Sequence, residues 1–337
     1  MAQKNDYIVT LMGYTGQGHS NYWPWLRFCD VFNTLGYDCN WVTLDRLDKS
    51  VKKRRIYICW NDPTAKTLVE KGFYRPGDVL VQKLTSLGAG DDKQNWGTNA
   101  FNWCKTWTWP PYKRVETMYD KGLNIYAFGC KTITAPFPEK HRICEKIKDK
   151  LFWVPWGPCL YSKKELDSAV PIMTGFRYEI GYVGMKWGMV GRGNVDTFNK
   201  FINPLTIGKN CALAGAGNPM GQVSNDQHKD ILRKSKLCPI VNAPSWQAEK
   251  GVQDRFWTVF ATGRFGVADC EGVYDFFNKD EVVCETDPGE YVAKSKWFLQ
   301  DINRQAPYIH KIQERIKKEY NWYMTWQNIL DKIISEQ

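Results

Sequence analysis

The stretch Tyr182-Val-Gly-Met-Lys-Trp-Gly-Met-Val-Gly-Arg-Gly-Asn194 is a glycine-rich turn between a predicted strand, Glu179–Val183, and a predicted helix, Val195–Ile202. Glycines at such a turn let a ligand approach the backbone closely, and the start of a helix favours negative charge. Lys186 and Arg192 add two cations. The turn therefore predicts a pocket for a diphosphate, with a basic surface turn as the alternative interpretation.

Around this turn the chain alternates short apolar runs with amphipathic ones, which is typical of parallel sheets flanked by helices. In the second half we predict strands at Glu179–Val183, Cys211–Ala214, Leu237–Val241 and Phe265–Ala268, and helices at Val195–Ile202, Gln227–Lys234, Asp254–Ala261 and Pro288–Asn303. In the first half we predict strands at Tyr7–Met12, Asn40–Leu44, Ile56–Trp60, Asp78–Lys83, Leu123–Phe128 and Leu151–Val154, and helices at Trp25–Leu35, Pro63–Lys71, Arg114–Lys121 and Glu139–Lys150. The pattern indicates two α/β domains in tandem, over residues 1–160 and 175–305. A long amphipathic helix, Tyr308–Ile334 within residues 306–337, would pack back on the first domain.

Composition limits the class of protein. With 43% hydrophobic and 24% charged residues in a chain of 337, the protein is globular rather than disordered. No run of about 18 apolar residues is present, which excludes a membrane-spanning helix, and no signal peptide precedes the first strand. We therefore expect a cytoplasmic protein, most simply a monomer. The 11 cysteines lack a Cys-x-x-Cys pair and the four histidines lack ligand spacing, so neither disulfides nor a metal site is expected.

Positive charge is concentrated in the first half. Residues 1–170 contain 25 Lys and Arg against 17 Asp and Glu, whereas residues 171–337 contain 21 against 19. The run formed by Lys52, Lys53, Arg54 and Arg55 precedes the third strand. This bias favours an anionic acceptor such as nucleic acid, a phosphorylated polymer or a phosphorylated lipid; a solubilising surface is the alternative.

Three further features of the first half are candidates for acceptor binding and catalysis. Gly16, Gly18 and His19 follow the first strand, without the third glycine of a dinucleotide fingerprint. His19 is either an ordinary loop histidine or a proton-transfer group.

A cluster of tryptophans offers flat faces for bases or sugars, or fills a core: Trp96, Trp103, Trp107 and Trp109.

The second half resembles the C-terminal domain of nucleotide-sugar glycosyltransferases built from two Rossmann-like domains, the GT-B type. It is most similar to the spore-protein-like group-1 transferases and the phage DNA β-glucosyltransferases. The matching segments are Ile180–Gly184, Cys211–Gly215, Ile231–Asn242 and Arg255–Gly263, with Phe152–Gly157 similar to the strand that ends the family's first domain. The resemblance covers residues 150–330 well and the first half only in layout. It implies a GT-B architecture, with a cleft between the domains.

The resemblance also implies roles for single residues of the second half. A nucleotide-sugar co-substrate, most simply a UDP-sugar, would have its diphosphate beside Gly184, Lys186 and Arg192, and Arg255 would contact its phosphates or ribose. Its nucleobase would lie along Gly215–Val223, a segment that includes Gly217 and Met220. The family usually carries a ribose-binding Glu three residues after the arginine, and this chain has Thr258 there. Either Asp254 or Glu249 replaces it, or the donor is unusual, or the chain is a non-catalytic binder.

In the phage β-glucosyltransferases an aspartate after a first-domain strand takes the proton from the acceptor hydroxyl. The positional equivalents here are Asp91 and Asp92, with a solvated acidic turn as the alternative and His19 as the next candidate base. A retaining enzyme would need no such base, and neither outcome requires a metal or a tightly bound cofactor.

Three functions remain open from the sequence. The first is transfer of a sugar to a hydroxymethylated pyrimidine in phage-type double-stranded DNA, which is the leading hypothesis. The second is transfer to a glycan, lipid or small molecule. The third is a non-catalytic module that binds a sugar nucleotide or DNA.

Overall fold

The structure of the chain is a computed structural model that describes residues 3–13, 22–59, 62–84, 118–129, 148–155, 157, 160–189, 192–244, 247 and 250–337. The predicted helices Arg114–Lys121 and Glu139–Lys150 fall largely outside these residues. Short 3-10 turns occur at Lys4–Asp6, Leu44–Arg46, Lys148–Lys150, Glu271–Asp275 and Ile302–Gln305.

The first half folds around a six-stranded parallel sheet. Its strands are β1 (Tyr7–Met12), β2 (Asp38–Val42), β3 (Arg54–Cys59), β4 (Val79–Leu84), β5 (Ile125–Gly129) and β6 (Leu151–Trp153), in the order β2-β1-β3-β4-β5-β6. The helices described in this half are α1 (Tyr22–Thr34) and α2 (Asp62–Glu70). Alternate side chains along β3 enter two different cores, Ile56 and Ile58 on one face and Tyr57 and Cys59 on the other. A strand buried on both faces explains its continuous apolar run.

The second half is built on a smaller parallel sheet in the order β10-β7-β11. Its elements are α3 (Lys163–Asp167), β7 (Tyr178–Val183), β8 (Gly188–Met189), β9 (Arg192–Gly193), α4 (Val195–Thr197), a π-helical turn (Phe198–Ile202), α5 (Asn203–Thr206), β10 (Cys211–Ala214), α6 (Asn225–Arg233), β11 (Ser235–Leu237), α7 (Asp254–Ala261), α8 (Pro288–Gln300), α9 (Ala306–Lys318) and α10 (Trp322–Ser335). The predicted bounds of the helix at Asp254–Ala261 and the strand at Cys211–Ala214 are confirmed.

Two predicted strands of the second half are shorter than expected. Leu237–Val241 and Phe265–Ala268 pair with each other, since Cys238 N donates to Phe265 O at 2.8 Å and Ile240 N donates to Val267 O at 3.2 Å. Beyond β11, however, only isolated bridges at Ile240 and Ala268 are formed. Pro239 stands between the two donors and has no N–H, which interrupts the ladder.

The long C-terminal helix of the prediction is two helices, α9 and α10, separated at residues 319–321. The side chain of Asn321 accepts a hydrogen bond from Met324 N at 2.9 Å and so starts α10 afresh. α10 then crosses back to the first half, where Trp322 and Trp326 pack on Phe28 of α1 with ring centroids 4.4 and 5.3 Å apart. The predicted fold class, with its returning C-terminal segment, is confirmed.

Besides α10, residues in and beside the connecting segment make contacts between the halves. The hydroxyl groups of Tyr161 and Thr262 are hydrogen-bonded at 2.5 Å, and both are buried. On the same side, Trp153 stacks on Phe276 with centroids 4.7 Å apart. These contacts join the two halves of the chain. In α/β folds, ligands bind at the carboxyl ends of the strands of the sheet.

Candidate functional site

The turns that follow β7 and β10 interlock at the carboxyl end of the second sheet. Gly184 N donates to Ala214 O at 2.9 Å, and Lys186 N donates to Ala216 O at 2.8 Å. The Asn218 side chain closes the junction by donating to Gly184 O at 2.7 Å. The two glycine turns therefore form one continuous backbone surface.

Glycine is required at two positions of this junction. Gly215 has φ = 108°, and a Cβ there would lie 2.3 Å from Gly184 O. Gly217 has φ = 79°, and a Cβ there would lie 2.1 Å from Lys186 O. Both positive φ values and both backbone contacts exclude larger residues, so glycine is needed here for the packing of one turn on the other.

The side chain of Arg255, the second residue of α7, contacts the carboxyl end of β7. Its Nε donates to Val183 O at 3.4 Å, its Nη1 donates to Val241 O, and its guanidinium lies 4.4 Å from the centroid of the Tyr182 ring. A Cβ on Gly184 would lie 2.2 Å from Nη2. The arginine is half-buried and fixed against the glycine turn, where its guanidinium can meet an anion.

The positions of the other two predicted cations, Lys186 and Arg192, are described to different extents. Lys186 is half-buried, and its Nζ lies 5.4 Å from the centroid of the Phe198 ring. Arg192 lies in β9, which pairs antiparallel with β8 and makes the turn a small hairpin; its side chain is outside the described residues. Arg255 is therefore the cation whose geometry at the turn is best defined.

Burial shifts the pKa of two carboxyl groups near Arg255. Asp254 has a raised pKa, because burial penalises its charge more than Arg255 offsets it. Burial also raises the pKa of Asp269 to about 7. This carboxylate accepts hydrogen bonds from Asn242 N at 2.8 Å, Asn242 Nδ2 at 2.7 Å and Gln247 Nε2 at 2.6 Å. It thus holds the segment after Val241, on which Arg255 rests.

His228, on α6, also belongs to this neighbourhood, and sequence reasoning missed it. It keeps some contact with solvent, but burial, followed by the positive charges of Arg255 and Lys229, lowers its pKa to about 3. The ring is therefore neutral at physiological pH. The signal that could have found it is its place on the helix directly after the Gly215–Val223 turn.

The predicted nucleobase and ribose residues have different surroundings. Met220 is 46% exposed and Val223 is half-buried, so both are accessible on the turn after β10. Thr258 is only 2% exposed inside α7, and it is therefore poorly placed to present its hydroxyl to a ligand. Glu249, one of its proposed replacements, is outside the described residues.

The basic run is not at the carboxyl end of the first sheet. Lys52–Arg55 lie at the amino end of β3, where Lys53 pairs with Asp38 at 2.7 Å. Arg55 is 3% exposed and donates to Thr10 Oγ1 at 3.3 Å and to the carbonyl of Asp48. Arg55 is poorly placed to contact an anionic acceptor, since its charge is used inside the domain. Lys52, Lys53 and Arg54 are exposed at the amino edge of the first sheet, and their role in acceptor binding stays a prediction.

The remaining first-half candidates lie outside the described residues. They are Gly16, Gly18, His19, Asp91, Asp92, Trp96, Trp103, Trp107 and Trp109. Within the described ranges, no group of His, Cys, Asp and Glu is arranged to hold a metal ion. None of the helices in those ranges is long and apolar enough to cross a bilayer.

A cavity of about 1030 Å³ lies elsewhere, at the amino ends of β4 and β5. Its lining includes Tyr74, Tyr119, Tyr126, Lys150 and Glu336. We place the site instead at the carboxyl ends of β7 and β10, because parallel sheets bind ligands at that end and the glycine turns and Arg255 are there.

Comparison with known proteins finds a match to part of the second half. A sequence profile for proteins described as glycosyl transferase-like matches residues 197–331, which include the turn after β10 and Arg255. No curated protein sequence matches the chain.

Solved structures match over nearly the whole chain. An α-glucosyltransferase in complex with UDP and a 13-mer DNA containing an HMU base has a TM-score of 0.63 at 12% identity, over 98% of this chain and 99% of that one. An α-glucosyltransferase with UDP-glucose and DNA containing an abasic site has a TM-score of 0.62 at 12% identity, over 97% and 99%. A DNA modifying β-glucosyltransferase, solved with and without uridine diphosphoglucose, has a TM-score of 0.59 at 12% identity, over 98% and 99%. The predicted resemblance to GT-B glycosyltransferases is confirmed; at this identity the structural likeness establishes the fold.

Proposed function

We propose that the chain is a glycosyltransferase that takes its sugar from a UDP-sugar bound at the carboxyl ends of β7 and β10. The observation that carries the proposal is the position of Arg255, fixed on Val183 O, Val241 O and the Tyr182 ring directly beneath Gly184. A diphosphate at this turn would contact the guanidinium and the backbone of the two turns, whose conformation requires glycine. The nucleotides bound by the structurally similar glucosyltransferases support UDP as the nucleotide.

The chemistry asked of this site is stabilisation of a leaving diphosphate. As the bond between the sugar and the diphosphate breaks, negative charge grows on the phosphate oxygens. Fixed positive groups placed there in advance lower the barrier, because they need no reorganisation during the reaction. Arg255 fulfils that requirement, and Lys186 stands two residues beyond Gly184 to add a second charge.

The acceptor hydroxyl needs a separate group to take its proton if the transfer inverts the sugar's configuration. We propose Asp91 or Asp92 for this role, with His19 as the next candidate, since all three follow strands of the first domain at their carboxyl ends. No residue described in the second half is needed as the base.

For the acceptor we propose a hydroxymethylated pyrimidine in double-stranded DNA. Its support is the excess of positive charge over residues 1–170, the tryptophan-rich segment 96–109, and the DNA present with the similar α-glucosyltransferases. A base inside a duplex must leave the stack to reach a catalytic site, and aromatic side chains can hold it outside. Lys52–Arg55 are not part of this proposal.

A second candidate function, a non-catalytic sugar-nucleotide binder, is favoured by one observation. Thr258 stands where the similar transferases usually carry a ribose-binding glutamate, and it is buried. Asp254, at the start of the same helix, is the carboxylate closest in sequence, and burial raises its pKa. A binder would show the donor affinity of the first proposal without turnover.

Melting curves test the donor assignment. UDP, GDP, ADP and CDP are each added to the full chain, and a ligand at a hundred times its dissociation constant adds about 2.7 kcal/mol to the folded state. We expect the largest upward shift with UDP. No shift with any of the four nucleotides would refute the assignment of the site.

Gel retardation tests the acceptor. Each neutralised phosphate contributes about 0.9 to the slope of log affinity against log salt, so a few contacts predict more than a tenfold loss between about 50 and 200 mM salt. We expect this loss with plain and hydroxymethylated duplexes alike. Absent or salt-independent binding would replace DNA by a carbohydrate or small-molecule acceptor.

A further inference from the structure

Apolar side chains are exposed beside the glycine turns, where a polar surface would be expected. Of the eight large hydrophobic residues most exposed among those described, Met185, Trp187 and Met220 lie on the turns after β7 and β10. Hydrogen bonding between Lys186 N and Ala216 O joins these turns. Clustered exposed apolar side chains beside a polar site mark a surface that a ligand covers.

Trp187 has a fixed backbone although its side chain is 48% exposed. Asn194, which is buried, accepts from Trp187 N through Oδ1 at 2.8 Å and donates from its own N to Trp187 O at 3.0 Å. Its Nδ2 donates to Met185 O at 2.8 Å. A Cβ on Gly193 would lie 2.3 Å from Trp187 O, so the hairpin closes tightly on the same residue. The exposed indole of Trp187 is therefore attached to a backbone that these hydrogen bonds hold in place.

The comparison with Trp297 shows what is unusual about Trp187. Trp297, on α8, is equally exposed at 48%, but the guanidinium of Arg304 lies over its ring, 4.2 Å from the centroid. None of the described residues stacks on Trp187 or places a cation over it. An exposed indole gains from a partner of this kind, and within the described part of the chain Trp187 has none, which leaves its ring open to a ligand group.

We propose that Trp187, with Met185 beside it, is the platform on which the sugar ring of the donor packs. The proposal rests on the proposed function above. Met185 and Trp187 are both about half-exposed, whereas Lys186 between them is less exposed, so both apolar side chains of this turn are accessible to a ligand. The sugar of a nucleoside diphosphate sugar is attached to the distal phosphate and must lie beside the residues that hold the diphosphate. A hexose presents a face of C–H groups that matches an indole face.

Calorimetric titration of UDP and UDP-glucose into the full chain separates the sugar from the nucleotide. In the Trp187→Ala variant we expect UDP affinity to stay within about twofold and UDP-glucose affinity to fall about tenfold, which corresponds to about 1.4 kcal/mol. Trp187→Phe should recover most of the loss because it keeps an aromatic face. Trp297→Ala is the matched control and should change neither affinity.

Three results would overturn the platform. Equal losses of UDP and UDP-glucose affinity would show that Trp187 contacts the nucleotide, and unchanged affinities would show that it contacts no part of the donor. Melting curves and the Trp187→Phe variant guard against a folding defect. If the wild-type chain binds neither ligand, the donor site itself is wrong and the platform is wrong with it, a result distinct from lost sugar recognition with UDP binding intact.

Discussion

The guanidinium of Arg255 lies 4.4 Å from the centroid of the Tyr182 ring, and the two residues come from different elements, α7 and β7. The stack joins the start of a helix to the end of a strand, beneath Gly184. Its consequence is that the arginine is oriented before any ligand binds, which lowers the entropic cost of binding an anion there.

Arg255→Ala should weaken UDP binding by about 10- to 100-fold, because hydrogen bonds to charged groups contribute about 1.5–3 kcal/mol. Arg255→Lys should recover only part of the affinity, since an ammonium cannot reproduce the planar fork. Titration calorimetry provides the measurement. The control is Arg304→Ala. Arg304 also lies over an aromatic ring, but that ring belongs to Trp297 of α8 and not to a residue of β7. Similar affinities in the Arg255 and Arg304 variants would contradict the role of Arg255.

Two glycine variants should separate binding from folding. A methyl group on Gly184 would meet the side chains of Arg255, at Nη2, and of Tyr182, at its hydroxyl, whereas one on Gly215 would meet the backbone of Gly184 at a positive φ. Gly184→Ala should therefore displace the arginine from the Tyr182 ring and weaken UDP binding, with a smaller loss of melting temperature than Gly215→Ala. Gly215→Ala should lower the melting temperature by several degrees, at a cost of about 1–3 kcal/mol. The reverse pattern would mean that the junction is assigned wrongly.

Asp269 should make stability depend on pH. Its pKa is raised to about 7 in the folded chain, so between about pH 4 and pH 7 the folded state holds a proton that the unfolded state has released. The free energy of unfolding should therefore fall through this window as pH rises, by up to about 4 kcal/mol from this group. His228, with a pKa lowered to about 3, has the opposite effect: it lowers the free energy of unfolding as pH falls below about 6.5. Comparing the wild type with a variant that changes only Asp269 cancels this contribution, because both chains contain His228.

Urea unfolding of wild type and Asp269→Asn across that range measures the effect. The difference in stability between the two chains should shift in favour of the variant as pH rises, whatever constant cost the lost hydrogen bonds impose. A difference that is flat with pH would show that Asp269 does not carry a raised pKa.

Sequence reasoning found the parts of the site that depend on element order. The turns at Gly184 and Gly215 and the helix start at Arg255 meet because parallel strands present their carboxyl ends at one edge. The same logic places Lys52–Arg55 at the other edge of the first sheet, because residues just before a strand lie at the amino edge. His228 and Asp269 were not found because their properties come from burial, which only tertiary packing determines. Asn321, by contrast, carried a local N-cap signal for the break between α9 and α10 that periodicity concealed.

Asp91→Asn or Asp92→Asn should lower turnover by at least about 10²-fold if that residue is the base, while UDP affinity stays unchanged because the donor site is in the other half. Asp38→Asn, which removes an exposed ion pair with Lys53, is the control and should leave turnover unchanged. Full activity in both single variants and in the double variant would move the role to His19.

The central claim is tested most directly by incubating the full chain with UDP-glucose and a duplex that carries hydroxymethylated pyrimidines, then measuring released UDP and the intact mass of the DNA. Plain duplex and a panel of glycans serve as the other acceptors. The account predicts stoichiometric release of UDP and a gain of one hexosyl group per modified base, both lost in Arg255→Ala. Binding of UDP-glucose without UDP release or mass gain for any acceptor would contradict it and identify the chain as a non-catalytic binder.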